Sequence, residues 1–253
     1  MSNMKNFAQN KYNDIYKSII AYQTSYIPVC GLRNPNLDKC IINSVITVTE
    51  KLQHGIPELD LPPADPLNIG TFVLTDLPNF KAVGSDVKLK GLSNYHINFF
   101  HLDVEKQRTD INITFDELSL NSVFNVTARI LFPIEETGNV LLTARNANAH
   151  IVLTYVVTKR GDKRYHYYSS MSIKLIVTDF DVEFHGHSFD KTLQEAIEQT
   201  IQHNKKELLD ASIGNLEKAT SKKCLEIINN LTKHFTYDEM LPDREICCCC
   251  CCC

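Results

Sequence analysis

Few side chains in this 253-residue chain are spaced for chemistry. His185-Gly-His187 could bring two imidazoles to one metal ion, but it stands at an expected strand-to-helix turn without a third ligand, and solvent exposure explains it better. His96, His101, His150 and His166 are scattered through expected strands and make no ligand set. Asp179, Asp181 and Glu183 alternate along one strand face, the pattern of a solvated surface. The nucleophile elbow, the Walker and dinucleotide fingerprints and the H-E-x-x-H zinc motif are absent. The expectation is therefore a non-enzyme with no catalytic residue, no metal and no cofactor. Arg160-Gly-Asp162 spells an integrin-type tripeptide, which a hairpin tip accounts for.

What remains is apolar and aromatic. Phe72, Phe99, Phe100, Phe115, Phe124, Phe132, Tyr155, Tyr165, Tyr167, Tyr168, Phe180 and Phe184 all fall where the pattern alternates. Some of these simply fill a core. A sheet curled round one helix, however, can be too wide for a single apolar stripe to fill, and the space left over is a lipid site. Residues assigned to its wall are Phe72, Leu74, Ile113, Phe124, Val126, Ile130, Leu153, Tyr155, Tyr167 and Ile173 from the sheet, with Ile197 and Ile201 from the helix. Tyr155 or Tyr167 would offer a hydroxyl to an ester or carbonyl oxygen. Burying a ligand of roughly 15 to 20 carbons gains about 12 to 16 kcal/mol. Association costs of at least ~4 kcal/mol leave micromolar to nanomolar affinity.

The elements that must position these residues follow from periodicity. From Ile69 to Phe184 the period is two: Phe72 and Leu74 alternate with Thr71 and Thr75, and Ile111, Ile113 and Phe115 with Asn112 and Thr114. Further strands are expected over Tyr95 to Val104, Val123 to Phe132, Val140 to Thr143, Ala149 to Thr158, Tyr165 to Leu175 and Val177 to Phe184. Turns are expected at Glu136 to Asn139 and Lys159 to Asp162. With no helix between them, they form an antiparallel meander. From Phe189 to Phe235 the period becomes that of one helical face, with Ser188 and Asp190 as candidate N-caps and Gly214 as a possible bend. At about 1.5 Å per residue this helix would reach roughly 65 to 70 Å, so something elongated must cover it. Its other face carries Glu195, Lys205, Glu217 and Lys222 and is expected to be wet.

Before the sheet, Asn34 and Pro35 open a short helix carrying Leu37, Cys40, Ile41, Ser44, Val45, Val48 and Leu52, which Gly55 ends. Ile56 to Leu67 carries four prolines and reads as an ordered strap held down by Ile56, Leu59, Leu61 and Leu67. The fold class is α+β: a long C-terminal helix wrapped by a highly curved antiparallel sheet, with a short N-terminal helix. Residues 1–25 read as a tail or weak helix, 26–242 as one domain, and 243–253 as a tail.

Composition restricts the partners. Net charge is -4, so no basic face is available for nucleic acid, and no apolar run is long enough to span a bilayer as a helix. Seven of ten cysteines form the run Cys247 to Cys253, read as an artefact of the sequence, with metal binding and acylation as alternatives. Cys30 and Cys40 flank the start of the first helix and could close a ten-residue loop, worth roughly 2.5 to 3 kcal/mol. Cys224 lies on the apolar stripe as a buried thiol. Asn112, Asn125 and Asn230 begin N-x-[ST] triplets, candidate glycosylation sites that lean towards secretion. Met1 to Asn13 is polar, and Ile15 to Ala21 is broken by Lys17 and Ser18, so no signal peptide is evident.

Several motifs together resemble the insect takeout and juvenile-hormone-binding protein family: Tyr26-Ile-Pro-Val-Cys30, Asn34-Pro-Asn-Leu-Asp-Lys-Cys40, Gly55-Ile-Pro-Glu-Leu59 and Leu61-Pro-Pro-Ala-Asp-Pro-Leu67. Gly91-Leu-Ser-Asn-Tyr95, Arg129-Ile-Leu-Phe-Pro-Ile134 and Tyr237-Asp-Glu-Met-Leu-Pro242 follow in the same order. The resemblance implies a secreted carrier, with Cys30 and Cys40 as the family disulfide and a hydrophobic tunnel between sheet and helix. Its ligand would be a juvenile hormone, another terpenoid, a fatty acid or a quinone. The competing reading is an interaction protein whose filled core presents a surface to a receptor.

Overall fold

The computed structural model describes residues 28–59, 61–129, 133–186 and 191–245. Helix α1 spans Leu37–Leu52, a 3-10 turn Pro57–Leu59, and the strands are β1 Leu67–Leu77, β2 Phe80–Lys90, β3 Tyr95–Asp103, β4 Arg108–Arg129, β5 Pro133–Arg160, β6 Lys163–Ile176 and β7 Asp179–Gly186. Helices α2 Lys191–His203, α3 Lys205–Thr232 and α4 Tyr237–Met240 follow. The N-terminal tail, Ser188, Asp190 and the cysteine run lie outside the described residues.

All seven strands form one antiparallel sheet in the order β1-β2-β4-β5-β6, with β3 beside β4 and β7 beside β5. Two strands are far longer than alternation suggested. Ile111–Phe115 and the stretch after Val123 belong to one 22-residue strand, β4, and Val140–Thr143 and Ala149–Thr158 to the 28-residue β5. Each long strand changes the parity of its inward side chains once. On β4 the buried residues run Thr109, Ile113, Phe115 and then Leu118, Leu120, Ser122, Phe124; on β5 they run Glu136, Ala144 and then Ala147, Ala149, Leu153, Tyr155. The switches face each other: Glu117 pairs with Arg145 and Phe115 with Ala147, and Asn146 adopts φ 50°. Two consecutive outward residues on both strands make a corner without a slip in register, so a period-two reading breaks each strand in two there.

Glu136 to Asn139 is not a turn. It lies inside β5 opposite Val123 to Val126. Gly138 serves a close approach: a Cβ there would stand 2.8 Å from the Phe184 ring. Arg160 to Asp162 is at the hairpin tip as expected, with Arg160 paired to Lys163 and Gly161 at φ 63°.

The largest core clusters meet near the corner, and the first spans it. Ile113, Phe115, Leu118, Ala147, Ile173 and Phe180 form one cluster, joined by Leu209 of α3. Leu67, Val87, Leu89, Leu120 and Phe124 form the other, joined by Leu216, Cys224 and Ile227. Burial raises the Cys224 thiol pKa to about 11, which keeps it an unreactive thiol. The proline strap packs Ile56, Leu59 and Leu61 against Ile227, Leu231 and Phe235, as its apolar residues required.

The long helical stripe is broken at Asn204, not at Gly214. Asn204 (φ -108°, ψ 15°) separates α2 from α3, its side-chain amide donating to Thr200 O, while Gly214 lies within α3. Helix α1 likewise begins two residues later than its Asn-Pro signal suggested. Asn34 Oδ1 accepts from the Asn36 N–H in a turn, and Asn36 holds the N-cap position without a side-chain capping bond. Cys30 and Cys40 are joined by a disulfide, Cα–Cα 5.9 Å.

Sheet edges explain several polar residues of the helices, buried Glu217 among them. Among the described residues β1, β3, β6 and β7 each pair with one strand only. Each has its free edge met by a helix side chain. Asn215 donates to Leu74 O of β1 at 3.1 Å, and Asp38 accepts from Leu102 N of β3 at 2.9 Å. Gln194 accepts from Gly186 N and Gln202 donates to Val182 O of β7. On β6, Glu217 accepts from Leu175 N at 2.8 Å and from Lys174 Nζ at 2.9 Å, while Asn229 donates to Tyr168 O and accepts from Tyr168 N, both at 2.9 Å. Glu217, expected on the wet face, is 7% exposed because α3 sits in the gap between β1 and β6. Replacing Asn229 by Ala strands one buried donor and one acceptor and is expected to cost about 2 kcal/mol in urea denaturation; a loss below about 0.5 kcal/mol would mean that water replaces the amide.

Candidate functional site

The inner wall carries the residues proposed for ligand contact, and it does not treat them alike. Phe124 is fully buried, and Phe72, Leu74 and Val126 pack against its cluster. Ile113 and Ile173 sit in the cluster that spans the corner. Ile201 packs with Phe184 beside Val126. Leu153 (6% exposed) and Tyr155 (5%) continue the inward face of β5 towards its hairpin. Ile130, and the side chain of Ile197, lie outside the described residues.

Tyr167 is a correction. It is 55% exposed, on the face opposite His166 and Tyr168. Counting back by twos from buried Ile173 through Met171 places Tyr167 inside, but β6 shifts register there: Thr154 pairs with Ser170 and Tyr155 with Tyr168. One extra residue, Ser169, reverses the parity beyond it. Nothing in Ser169-Ser170 announces a bulge. What fixes it lies 61 residues away, in the Asn229 amide that holds both polar groups of the Tyr168 backbone.

The bulge assembles an aromatic box that the sequence did not suggest. His166 lies edge-on to Tyr168 at 5.0 Å between centroids, to Tyr155 at 5.8 Å and to Tyr237 of α4 at 6.2 Å. Tyr155 and Tyr168 also meet edge to face at 5.9 Å. Tyr237 is placed by a capping box: Thr236 accepts from Glu239 N and the Glu239 carboxylate accepts from Thr236 N. Outside it, Arg164 binds Asp238 and stacks 5.1 Å from the Tyr237 ring centre.

Electrostatics inside the box are set by exclusion of water. Burial lowers the His166 pKa to about 4, so the imidazole is neutral at pH 7. Burial also raises Tyr168 to about 12 and lifts Tyr155 well above its ordinary value. Neither His166 Nδ1 nor the Tyr155 hydroxyl, which lies beside Tyr237, makes a well-formed hydrogen bond among the described residues. The hydroxyls of Thr75 in β1 and Thr220 in α3 are buried in the same condition. Unpaired polar atoms in an aromatic and aliphatic interior are costly, and they suit an oxygenated guest.

Metal-type chemistry has no such focus. Among the described residues no three of His, Cys, Asp and Glu converge. His185 stands exposed with Glu183 3.7 Å away, and His187 lies outside the description. His96, His101 and His150 stand exposed beside Asp116, Asp38 and Asp110. Asn125 is exposed, whereas Asn112 is half-buried in a ladder with Asn98 and Asn148 and Asn230 is half-buried on α3.

The described chain is thus a curled sheet whose apolar inner wall is covered by α2 and α3. The model of the family described as haemolymph juvenile hormone binding protein matches residues 16–242. The chain belongs to that family. As a haemolymph juvenile hormone binding protein family member it is 24% identical over 223 residues to the circadian clock-controlled protein daywake of Drosophila yakuba, covering 80% of this chain and 83% of the relative. Takeout 1 of Epiphyas postvittana shares the fold, with a TM-score of 0.72 at 19% identity over 85% of this chain and 99% of that one. The family assignment rests on the whole domain, including the strap and the C-terminal capping box, and no helix among the described residues is long and apolar enough to cross a membrane.

Proposed function

We propose that the protein is an extracellular, non-enzymatic carrier of a small hydrophobic ligand held between the sheet and α3. The observation that carries this reading is a pair of buried polar atoms set in an otherwise aromatic wall: His166 Nδ1, without a partner among the described residues, and Tyr155 OH, which meets only the Tyr237 hydroxyl and without good geometry. A neutral oxygen acceptor, such as the carbonyl of an ester or quinone, suits that wall better than a carboxylate, because the box holds His166 neutral and offers no buried cation. Membership in a family named for juvenile hormone binding favours a terpenoid ester among the candidates. Phe72, Leu74, Ile113, Leu153, Ile173 and Ile201 would supply apolar contact.

Mass spectrometry of lipid extracted from protein secreted by insect cells tests the carrier reading. A stoichiometric apolar ligand is expected; absence of ligand, with no uptake from a panel of esters, quinones and fatty acids, would favour the filled-core interaction protein. Tyr155→Phe gives a sharper test. Removing a hydroxyl that makes no well-formed hydrogen bond should change the stability of the unliganded protein by less than about 1 kcal/mol, yet weaken an ester or quinone about three- to tenfold. Equal affinity for wild type and variant would remove Tyr155 from the site.

A further inference from the structure

The seam between β6 and α3 is pinned at two places, Glu217 to Leu175 and Asn229 to Tyr168. Between the pins it gapes. An open cleft of about 410 Å³ lies there, with Met171, Ile173, Leu225, Lys174, Lys218 and Lys222 among its lining residues. Gly214 borders it, and a Cβ added there would touch nothing within 4 Å. The cleft is larger than any single contact requires and falls in the range of small-ligand sites.

Its charge is opposite to that of the chain. The protein carries a net charge of -4, yet this cleft sets three lysines against one carboxylate, Glu217. That carboxylate is already committed to Lys174 Nζ and to the β6 backbone. Lys218 and Lys222 have no carboxylate partner among the described residues, while Lys223 on the adjacent face is paired with Glu226. Two lysines four residues apart on a helix repel one another by a few tenths of a kcal/mol. Solubility does not need them side by side over an apolar floor, and an anion between them would remove the repulsion.

We infer that this cleft is a second ligand site, separate from the interior, for a single-chain amphipathic anion whose head group lies between Lys218 and Lys222 and whose tail lies on Met171 and Leu225. The site stands on the cleft alone, and failure of interior binding would leave it in place.

Octyl phosphate below its micelle concentration, with octanol as the uncharged control, is the probe. Met171 is the one methionine among the lining residues, and Met240 in α4 lies elsewhere, so ¹³C-methyl methionine NMR reports the cleft against an internal reference. Octyl phosphate is expected to move the Met171 methyl and not that of Met240, with octanol binding at least fivefold more weakly. Lys218→Gln/Lys222→Gln should weaken octyl phosphate about tenfold, two exposed charge contacts of up to about one factor of five each, and raised salt should do the same. Tyr155→Phe should not change it. An unmoved Met171 methyl would overturn the site, as would equal response to octanol or an undiminished response in the double variant. Binding to vesicles containing phosphatidylserine without any binding of free octyl phosphate would also overturn it, in favour of a membrane-docking face.

Discussion

Phe124→Ala is expected to destabilise the protein by about 3 to 5 kcal/mol, read as a lower urea midpoint at unchanged slope. Phe124 is 0% exposed, and it stands on β4 between two glycines, Gly84 on β2 and Gly138 on β5. A Cβ at Gly84 would come within 2.7 Å of the Phe124 ring, so the ring occupies the space the glycine leaves. Truncation empties that space, and the strands on either side cannot close it, since the β4 ladder to both neighbours is continuous there. The result also separates two roles for this residue. A loss below about 1 kcal/mol would mean that Phe124 borders a space already open to a guest; the full loss means that it fills the core.

Acid is expected to weaken the fold through His166. Its folded-state pKa of about 4 lies below the ordinary 6.5, so as pH falls through 6.5 the unfolded chain takes up the proton and the folded chain does not. Stability is therefore full above pH 6.5, is lost progressively down to about pH 4, and flattens below. The loss is at most about 3 kcal/mol at 1.36 kcal/mol per unit. Among the described residues no carboxylate shifts the ring to offset this: its aromatic neighbours are Tyr155, Tyr168 and Tyr237, and Arg164 beyond Tyr237 is a cation. His101 works in the opposite sense. Its hydrogen bond to Asp38 raises its pKa, so it contributes below pH 6.5 and loses that contribution as pH rises, but it is exposed and screened. The carboxylates held low by partners, such as Asp181 by Arg145 and Asp238 by Arg164, add their losses only below about pH 4. Urea midpoints at pH 7 and pH 4.5 check the prediction. His166→Phe should flatten the profile between them; a profile as steep as wild type would assign the acid sensitivity to another group.

The fold was largely legible because its signals are local. Alternation marked the strands, the prolines marked the strap, and four apolar residues in the strap were enough to say that it is held down, as the packing of Ile56, Leu59 and Leu61 bears out. The motifs quoted from Tyr26 to Pro242 identified the family. The site was less legible because inward and outward depend on events that leave no local trace. At Asp116-Glu117 and Arg145-Asn146 both strands reverse parity together, and at Ser169 one strand reverses alone. Tyr155 lies on the correct side of these switches and Tyr167 on the wrong one. His166 and Tyr237 were passed over because a histidine in a strand and a tyrosine near the C-terminus share no spacing; only the bulge and the Thr236 capping box bring them together. Glu217 was misplaced for a related reason, since a carboxylate that completes a sheet edge looks in sequence like any charged helix residue.

Those edge contacts bear on how the chain is made. Asn215, Glu217 and Asn229 belong to an element that leaves the ribosome after every described strand, and β1 and β6 are synthesised well before it. Until α3 arrives, both strands present unpaired backbone and the inner wall is uncovered, the condition in which nascent β-proteins associate with one another. A chain cut before residue 229 would therefore be expected to sediment with chaperones or aggregates, although every strand is present. Translation past Asn229 is the event that supplies the last of these edge contacts.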